Sequence, residues 1–92
     1  IRQRLTLKAG YSVAEIPVSD RSELVNQTLF SANLRDRDIL VLNIIRGSIS
    51  IPNPRGDRKI LAGDILLCFG KQLALKALLP LPKKPSRRKK KS

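Results

Sequence analysis

The side chains that could do chemistry in this chain are mainly arginines, because the usual catalytic groups are scarce. The 92 residues include no histidine and a single cysteine, Cys68. Histidine is the commonest general base and metal ligand, and one cysteine without histidine makes neither a nucleophilic pair nor a zinc site. Cys68 also lies in the apolar run DILLCFG, where a buried thiol behaves as a small hydrophobic group. The sequence therefore predicts a protein that is not an enzyme, with no catalytic residue, metal or cofactor.

Two groups of arginines could bind an anion. Arg35 and Arg37 lie in the segment LRDRD, and a guanidinium fork suits the oxygens of a phosphate or carboxylate. The alternative for this segment is a solvated loop of self-paired charges, which contributes little to stability. Arg46 ends the apolar stretch LVLNIIRG, and a rigid bend at residues 52–54 follows. Arg46 could line a pocket closed by that bend. Alternatively, its methylene groups could lie along apolar surface while its guanidinium reaches water.

The elements that must position these arginines begin with apolar runs. Residues 38–47 are too long and too apolar on both faces for an exposed strand, so they predict a central strand covered on both sides. Residues 65–70 predict a second buried strand, and residues 48–51 a hairpin partner after a tight turn. Residues 13–18 alternate with a period of two, and Pro17 places that strand at an edge or near a bulge. The pattern predicts a small mixed or antiparallel sheet.

Two short helices complete the predicted α+β fold. The first lies within residues 22–33, after good N-cap types, and could be interrupted near Asn26. The second, at residues 71–79, precedes two prolines. The second helix is apolar on most of its faces and must be covered on more than one side. A small aliphatic core also gains stability by burying surface against a second copy. We therefore expect a homodimer, with an interface formed by Val41, Asn43, Ile45, Leu75, Leu78 and Leu79.

The net charge of +12 is unevenly placed along the chain. Residues 83–92 hold seven of the 19 basic residues, whereas residues 1–82 hold 12 basic and 7 acidic ones. We expect a linker from a preceding region at residues 1–11, a domain at 12–80 and a disordered basic tail at 81–92. The tail could bind nucleic acid or anionic lipid by charge alone, or serve as a solubility tail or the end of a larger chain. Without a signal peptide or an apolar run near the roughly 18 residues of a membrane helix, we expect a cytoplasmic chain, which could also lie peripherally at the inner face of the membrane.

The order of these motifs resembles the C-terminal domain of the RCK, or TrkA-type, regulators of potassium transport. The matching pieces are LVNQTL, ANLR, LNIIRG and LAGDILLCFG, spread from Val13 to Leu79. The family commonly has glycine where this chain has Asn26, which tolerates a left-handed backbone. The resemblance implies an α+β domain that dimerises, lies on the cytoplasmic side of a channel or transporter subunit in the same or another chain, and senses a small ligand. The dinucleotide-binding Rossmann half that is usual in such regulators is absent from this chain, so any role of NAD or ATP at that half belongs elsewhere.

The resemblance also implies a ligand site. In members that bind cyclic di-adenosine monophosphate, the nucleotide lies between two copies, near positions that match Leu34, Arg35 and Leu40. Asparagine is typical at the last position, so leucine there speaks against that ligand. With Arg46 and Pro52 added from the strand end and the bend, these residues form the expected ligand site. The expected function is a regulatory module of a potassium or other cation transport system, which senses a small anionic ligand, such as a nucleotide, at the dimer interface. The alternative is a protein that binds nucleic acid or anionic membrane through its Lys/Arg tail.

Overall fold

A computed structural model describes residues 4–6 and 10–79, so the expected basic tail lies outside the described residues. Five strands form one antiparallel sheet in the order β1-β2-β5-β3-β4, and one helix follows the last strand. The α+β class is confirmed, with an antiparallel sheet. The elements are β1 (Arg4–Thr6), β2 (Tyr11–Pro17), β3 (Ile39–Arg46), β4 (Ile49–Pro52), β5 (Ile65–Lys71) and α1 (Gln72–Leu78).

Strand β5 is the centre of the sheet, and its side chains alternate between a buried and a half-buried face. Leu66, Cys68 and Gly70 are buried, and the β2 residues opposite them are buried as well. Because directly paired residues share a face, these two strands define one core face of the sheet. Cys68 is fully buried, which raises the pKa of its thiol to about 12. The thiol is therefore a core hydrophobic group, as the sequence predicts.

The segment between β2 and β3 covers the core face together with α1. Leu24 and Leu34 from this segment pack with Ile60 and with Leu75 of the helix into one cluster. The cluster contains no aromatic side chain, which agrees with the aliphatic core expected from the composition. The opposite face of the sheet has no covering layer among residues 4–6 and 10–79.

The helix predicted at residues 22–33 is wrong, because this segment is a series of turns followed by a 3₁₀ turn at Arg35–Arg37. Asn26 and Asn33 adopt left-handed backbone angles, with φ of 69° and 58°. The backbone is also bonded elsewhere: the Asn26 N–H donates to the Ile60 carbonyl at 2.7 Å, and the Ile60 N–H donates to the Gln27 carbonyl at 2.8 Å. Tertiary pairing with residues 58–60 therefore replaces the helical hydrogen bonds.

Two further expectations differ from the structure. Arg4–Thr6 forms a strand paired with β2, where a linker was expected. Helix α1 buries Leu75 and Leu78, but Leu73 is 80% exposed. The helix is therefore amphipathic and covered on one side, and it does not itself require a second copy.

A bulge in β3 changes which of its residues share a face. Val41 pairs with Cys68 and Asn43 pairs with Leu67, so Leu42 is an extra residue between them. Strict alternation would group Val41 with Asn43 and Ile45, but the bulge places Val41 on the core face and the other two on the opposite face. β3 lies between β5 and β4 as expected for a central strand. It is nevertheless only partly covered, and Leu40 is 43% exposed.

The β3–β4 hairpin has a two-residue loop, because Arg46 pairs with Ile49. Gly47 has a φ of 61°, which a residue with a side chain rarely adopts. A glycine with positive φ at the first loop position suits the right-handed twist of the flanking strands. The tight turn expected after Arg46 is therefore confirmed.

Candidate ligand-binding cleft

A cleft of about 600 Å³ lies beside the first half of β3. β4 pairs only with the second half of β3, from Asn43 to Arg46, so Ile39–Val41 has no strand neighbour on that side among the described residues. The turn segment before β3 and the loop after β4 form the two walls. The residues that line the cleft are Leu29, Phe30, Asn33, Leu34, Arg35, Asp36, Ile39, Leu40, Val41, Asn53, Pro54 and Gly56.

Residues 53–56 form the wall that follows β4. The Asn53 N–H donates to the Leu42 carbonyl at 2.7 Å, and Asn53 has a φ of 45°. This left-handed residue turns the chain away from the sheet as the strand ends, and Pro54 restricts the backbone that follows. The Gly56 carbonyl then accepts a 2.8 Å hydrogen bond from the Phe30 N–H. The two walls of the cleft are thus joined by a backbone bond.

The other wall consists of the turns at residues 29–36. Leu34 is buried, and its carbonyl accepts the N–H groups of Arg37 and Ile39 at 2.9 and 3.0 Å. The bonded turn anchors Leu34 in the core and leaves the neighbouring Arg35 exposed at the cleft. Arg37 lies 3.6 Å from Glu23, a long contact between partly exposed groups. The Arg35 guanidinium makes no hydrogen bond or ion pair within the described residues, so it is available to an anion.

The structure brings together three of the five expected ligand residues. Leu34, Arg35 and Leu40 all line the cleft, whereas Arg46 and Pro52 do not. Sequence reasoning missed Phe30, whose side chain is 82% exposed at the cleft mouth. A signal for it was present, since Phe30 is one of only two phenylalanines and lies five residues before Arg35. The prolines and glycine of PNPRG also marked the opposite wall.

Arg46 is bonded to the carboxylate of Asp64 and does not line the cleft. Its Nε donates to Asp64 Oδ1 at 2.9 Å, and its Nη2 donates to Asp64 Oδ2 at 2.8 Å and to the Lys59 carbonyl at 2.9 Å. The hydrogen bond and charge of Asp64 raise the pKa of Arg46 against the effect of burial. Arg46 thus has a structural role in this ion pair, whereas a place on the rim of the ligand site was expected.

Asp64 is 1% exposed, and its carboxylate accepts hydrogen bonds from the Arg46 guanidinium and from the Leu61 N–H. Burial acts to raise the pKa of its carboxyl, but the hydrogen bonds from Arg46 and from the Leu61 N–H, with the Arg46 charge, hold that pKa below its ordinary value. The Leu61 bond is 2.9 Å long and closes the turn before β5. The carboxylate therefore remains ionised at neutral pH.

The residues expected at the dimer interface fall into two groups. Asn43 and Ile45 lie on the uncovered face of the sheet, and Asn43 donates a 2.9 Å hydrogen bond to Ser50 Oγ. The remaining four face inward: Leu75 and Leu78 are core residues, and Val41 and Leu79 pack against the core. Leu75 and Leu78 are 1% and 9% exposed, so they offer almost no surface to a second copy.

The described residues carry neither a metal site nor a membrane span. No group of three or more His, Cys, Asp or Glu side chains in this part of the chain could hold a metal ion. In the same residues, no helix is long and apolar enough to cross a bilayer.

Comparisons with known proteins identify the fold. A family model, the TrkA-C domain, matches residues 13–82. A probable alpha-L-glutamate ligase of Rhodopirellula baltica is 43% identical over 90 residues, which is 98% of this chain and 22% of the ligase. An uncharacterized transporter of Synechocystis sp. is 43% identical over 56 residues, which is 60% of this chain and 9% of the transporter. The resemblance inferred from the order of motifs is thus confirmed, and the chain belongs to the TrkA-C domain family.

Proposed function

We propose that this chain is a non-catalytic regulatory module of a cation transport system, which binds a small anionic ligand in the cleft and works as a homodimer. The observation that carries the ligand proposal is the exposed, unpaired Arg35 guanidinium in a cleft whose other walls are largely apolar. The similarity to a transporter supports the place of the module in transport.

The cleft suits a ligand with one anionic group and a flat apolar part. Arg35 is the cation in the lining, and Asp36 beside it limits the net charge, which favours a single phosphate or carboxylate over a polyanion. Phe30, Leu40 and Pro54 supply apolar surface on both walls. Ligand sites generally combine such apolar walls with a few polar groups that fix the orientation.

Dimerisation is proposed through the uncovered face of the sheet. This face carries Val13 on β2, Leu67 and Phe69 on β5, and Ile45 on β3, all half-buried in a single copy. The Tyr11 and Phe69 rings stack on this face with centroids 5.5 Å apart. A sheet with an apolar face usually buries it against another layer, and a second copy would provide that layer.

Regulation would follow if the ligand favours one arrangement of the two copies. A ligand shifts a conformational equilibrium only by its difference in affinity between the two states. Leu40 lies at the start of β3, after the 3₁₀ turn that carries Arg35, and Ile45 of the proposed dimer face lies in the same strand. A ligand that contacts the start of this strand could therefore be linked to dimer geometry.

A second candidate is a regulatory module for an amino-acid ligase. The match to the probable glutamate ligase covers 98% of this chain, beyond the limits of the TrkA-C match, whereas the transporter match covers 60%. In that case the cleft would take an amino acid with a free carboxylate. Binding of glutamate, with no binding of nucleotides, would favour this candidate over the first.

The test is a thermal unfolding and calorimetric titration of the full chain with adenine nucleotides, cyclic dinucleotides and glutamate. A ligand at a hundred times its dissociation constant should raise the melting temperature by about 10 °C. Arg35→Ala should abolish the shift without lowering the melting temperature of the free protein. Arg21→Ala is the matched control, because Arg21 is also exposed but does not line the cleft. Equal binding by wild type and Arg35→Ala would contradict the proposal.

A further inference from the structure

Phe30 is held outward by a hydrogen-bonded backbone. Its N–H donates to the Gly56 carbonyl at 2.8 Å, and the Leu29 N–H donates to the Arg58 carbonyl at 3.0 Å. In the turn around it, the N–H groups of Thr28 and Ser31 donate to each other's hydroxyl oxygens at 3.0 and 2.9 Å. On this bonded turn, Phe30 is 82% exposed.

Basic side chains lie on the loop that is bonded to this turn. Arg55, Arg58 and Lys59 are exposed, and with Asp57 they line a shallow depression of about 370 Å³. The backbone bonds to Gly56 and Arg58 hold the Phe30 turn against this loop. We call residues 27–33 and 55–59 together the Phe30 lobe. It combines a protruding apolar ring with an excess of positive charge.

We propose that the Phe30 lobe docks on an anionic lipid surface, with the ring in the interfacial layer and the three cations at the headgroups. Surface binding by a protein scales with apolar area inserted and with attraction to anionic lipids, and each basic residue near such a surface contributes about fivefold. The chain as a whole carries a net charge of +12, which adds longer-range attraction. This inference goes beyond the proposed function and does not depend on the cleft ligand.

Lipid fits the lobe better than single-stranded nucleic acid does. Proteins that bind single strands stack successive bases on several aromatic side chains along a basic groove. The lobe offers one ring, and the other two aromatic residues, Tyr11 and Phe69, stack on each other. Phe30 also lines the ligand cleft, so a lipid surface and a bound ligand would compete for the same side chain.

The test measures binding of the full chain to vesicles of phosphatidylcholine with and without phosphatidylserine, by co-sedimentation. Phe30→Ala should weaken binding to the anionic vesicles about tenfold, and Arg55→Ser with Arg58→Ser about thirtyfold. Leu73→Ala is the matched apolar control, because Leu73 is 80% exposed on α1. Arg21→Ser is the matched charge control. Both controls should bind as wild type does.

A fluorescent variant reports insertion directly, because the chain contains no tryptophan. Phe30→Trp should shift its emission to the blue on anionic vesicles and be quenched by brominated lipid, whereas Leu73→Trp should do neither. Unchanged vesicle binding by Phe30→Ala and by the double arginine variant would overturn the proposal and assign binding to the basic tail. A response of Phe30→Trp to single-stranded RNA but not to vesicles would overturn it in favour of nucleic acid.

Discussion

Arg46 and Asp64 form a two-bond ion pair, with Nε–Oδ1 and Nη2–Oδ2 distances of 2.9 and 2.8 Å. The pair joins the end of β3 to the turn that opens β5, one step beyond the Ile45–Ile65 pair of the sheet. The two side chains differ in environment: Asp64 is 1% exposed, whereas Arg46 is 29% exposed. The carboxylate therefore depends on its partner more than the guanidinium does.

Because of this difference in exposure, we expect that removing Arg46 and removing Asp64 will lower the free energy of unfolding by unequal amounts. Arg46→Met keeps the apolar stem but leaves a buried carboxylate uncompensated, so it should lower the free energy of unfolding by about 3–5 kcal/mol. Asp64→Asn leaves an arginine that can still reach water, so it should cost about 1.5 kcal/mol. Urea denaturation of both variants at neutral pH measures the difference. Equal costs would contradict the assigned roles.

The same pair predicts an acid-side pH dependence of stability. The folded-state pKa of Asp64 is lowered, so its contribution is fully present above the unfolded-state pKa of about 3.9 and is lost as the pH falls through the folded-state value. The stability difference between wild type and Asp64→Asn should therefore shrink as the pH is lowered below the unfolded-state pKa. Denaturation curves across this range measure it. A difference that stayed constant would mean that the pKa of Asp64 is not lowered.

The main strands could be predicted from the sequence because their signal is local. The apolar runs at Ile39–Arg46 and Ile65–Lys71 are strands, and the turn at Gly47 lies where expected. The prediction of a helix at residues 22–33 failed for a non-local reason, because the residues that pair with this segment lie about 30 positions later in the chain. The family resemblance pointed to a left-handed backbone at Asn26, but N-cap types and apolar spacing cannot show that its N–H is bonded to Ile60.

The candidate site was only half predictable, for the same kind of reason. Arg35 was found from its motif and Leu40 from the family resemblance, but the bulge at Leu42 regroups the faces of β3 and cannot be seen in its composition. The partner of Arg46 is fixed by sheet register, which brings Asp64 beside it across 18 positions of sequence. Phe30 was assigned to a helix that does not form.

Addition of a single methyl group at Gly70 is expected to cause a strong steric clash. A Cβ at this position would lie 2.3 Å from the Asp38 carbonyl oxygen, a backbone atom that cannot easily move. Gly70→Ala should therefore destabilise the fold by about 1–3 kcal/mol. Gly56→Ala is the matched control, because its Cβ would meet only the Phe30 Cβ at an ordinary 3.5 Å. Thermal unfolding compares the two, and an equal effect would contradict the crowding at Gly70.

Ser12 predicts a stabilising substitution in the core. Its side chain is 0% exposed, and its Oγ has no hydrogen-bond partner within the described part of the chain. A buried hydroxyl without a partner is costly, so Ser12→Ala should raise the free energy of unfolding by about 1 kcal/mol. Ser50→Ala should instead lower it slightly, because Ser50 Oγ accepts the hydrogen bond from Asn43. A loss of stability in Ser12→Ala would reveal an unseen partner for the hydroxyl.

The proposed dimer predicts that a charge on the uncovered sheet face separates the copies. Ile45→Lys places an unpaired cation where the two apolar faces would meet, so it should raise the dimer dissociation constant at least about tenfold. Leu73→Lys should leave the dimer intact, because Leu73 lies on the exposed side of α1. Sedimentation equilibrium gives the masses, and circular dichroism checks that each variant is folded. A wild-type chain that remained monomeric at millimolar concentration would exclude the dimer, whereas dissociation by Leu73→Lys alone would move the interface to the helix.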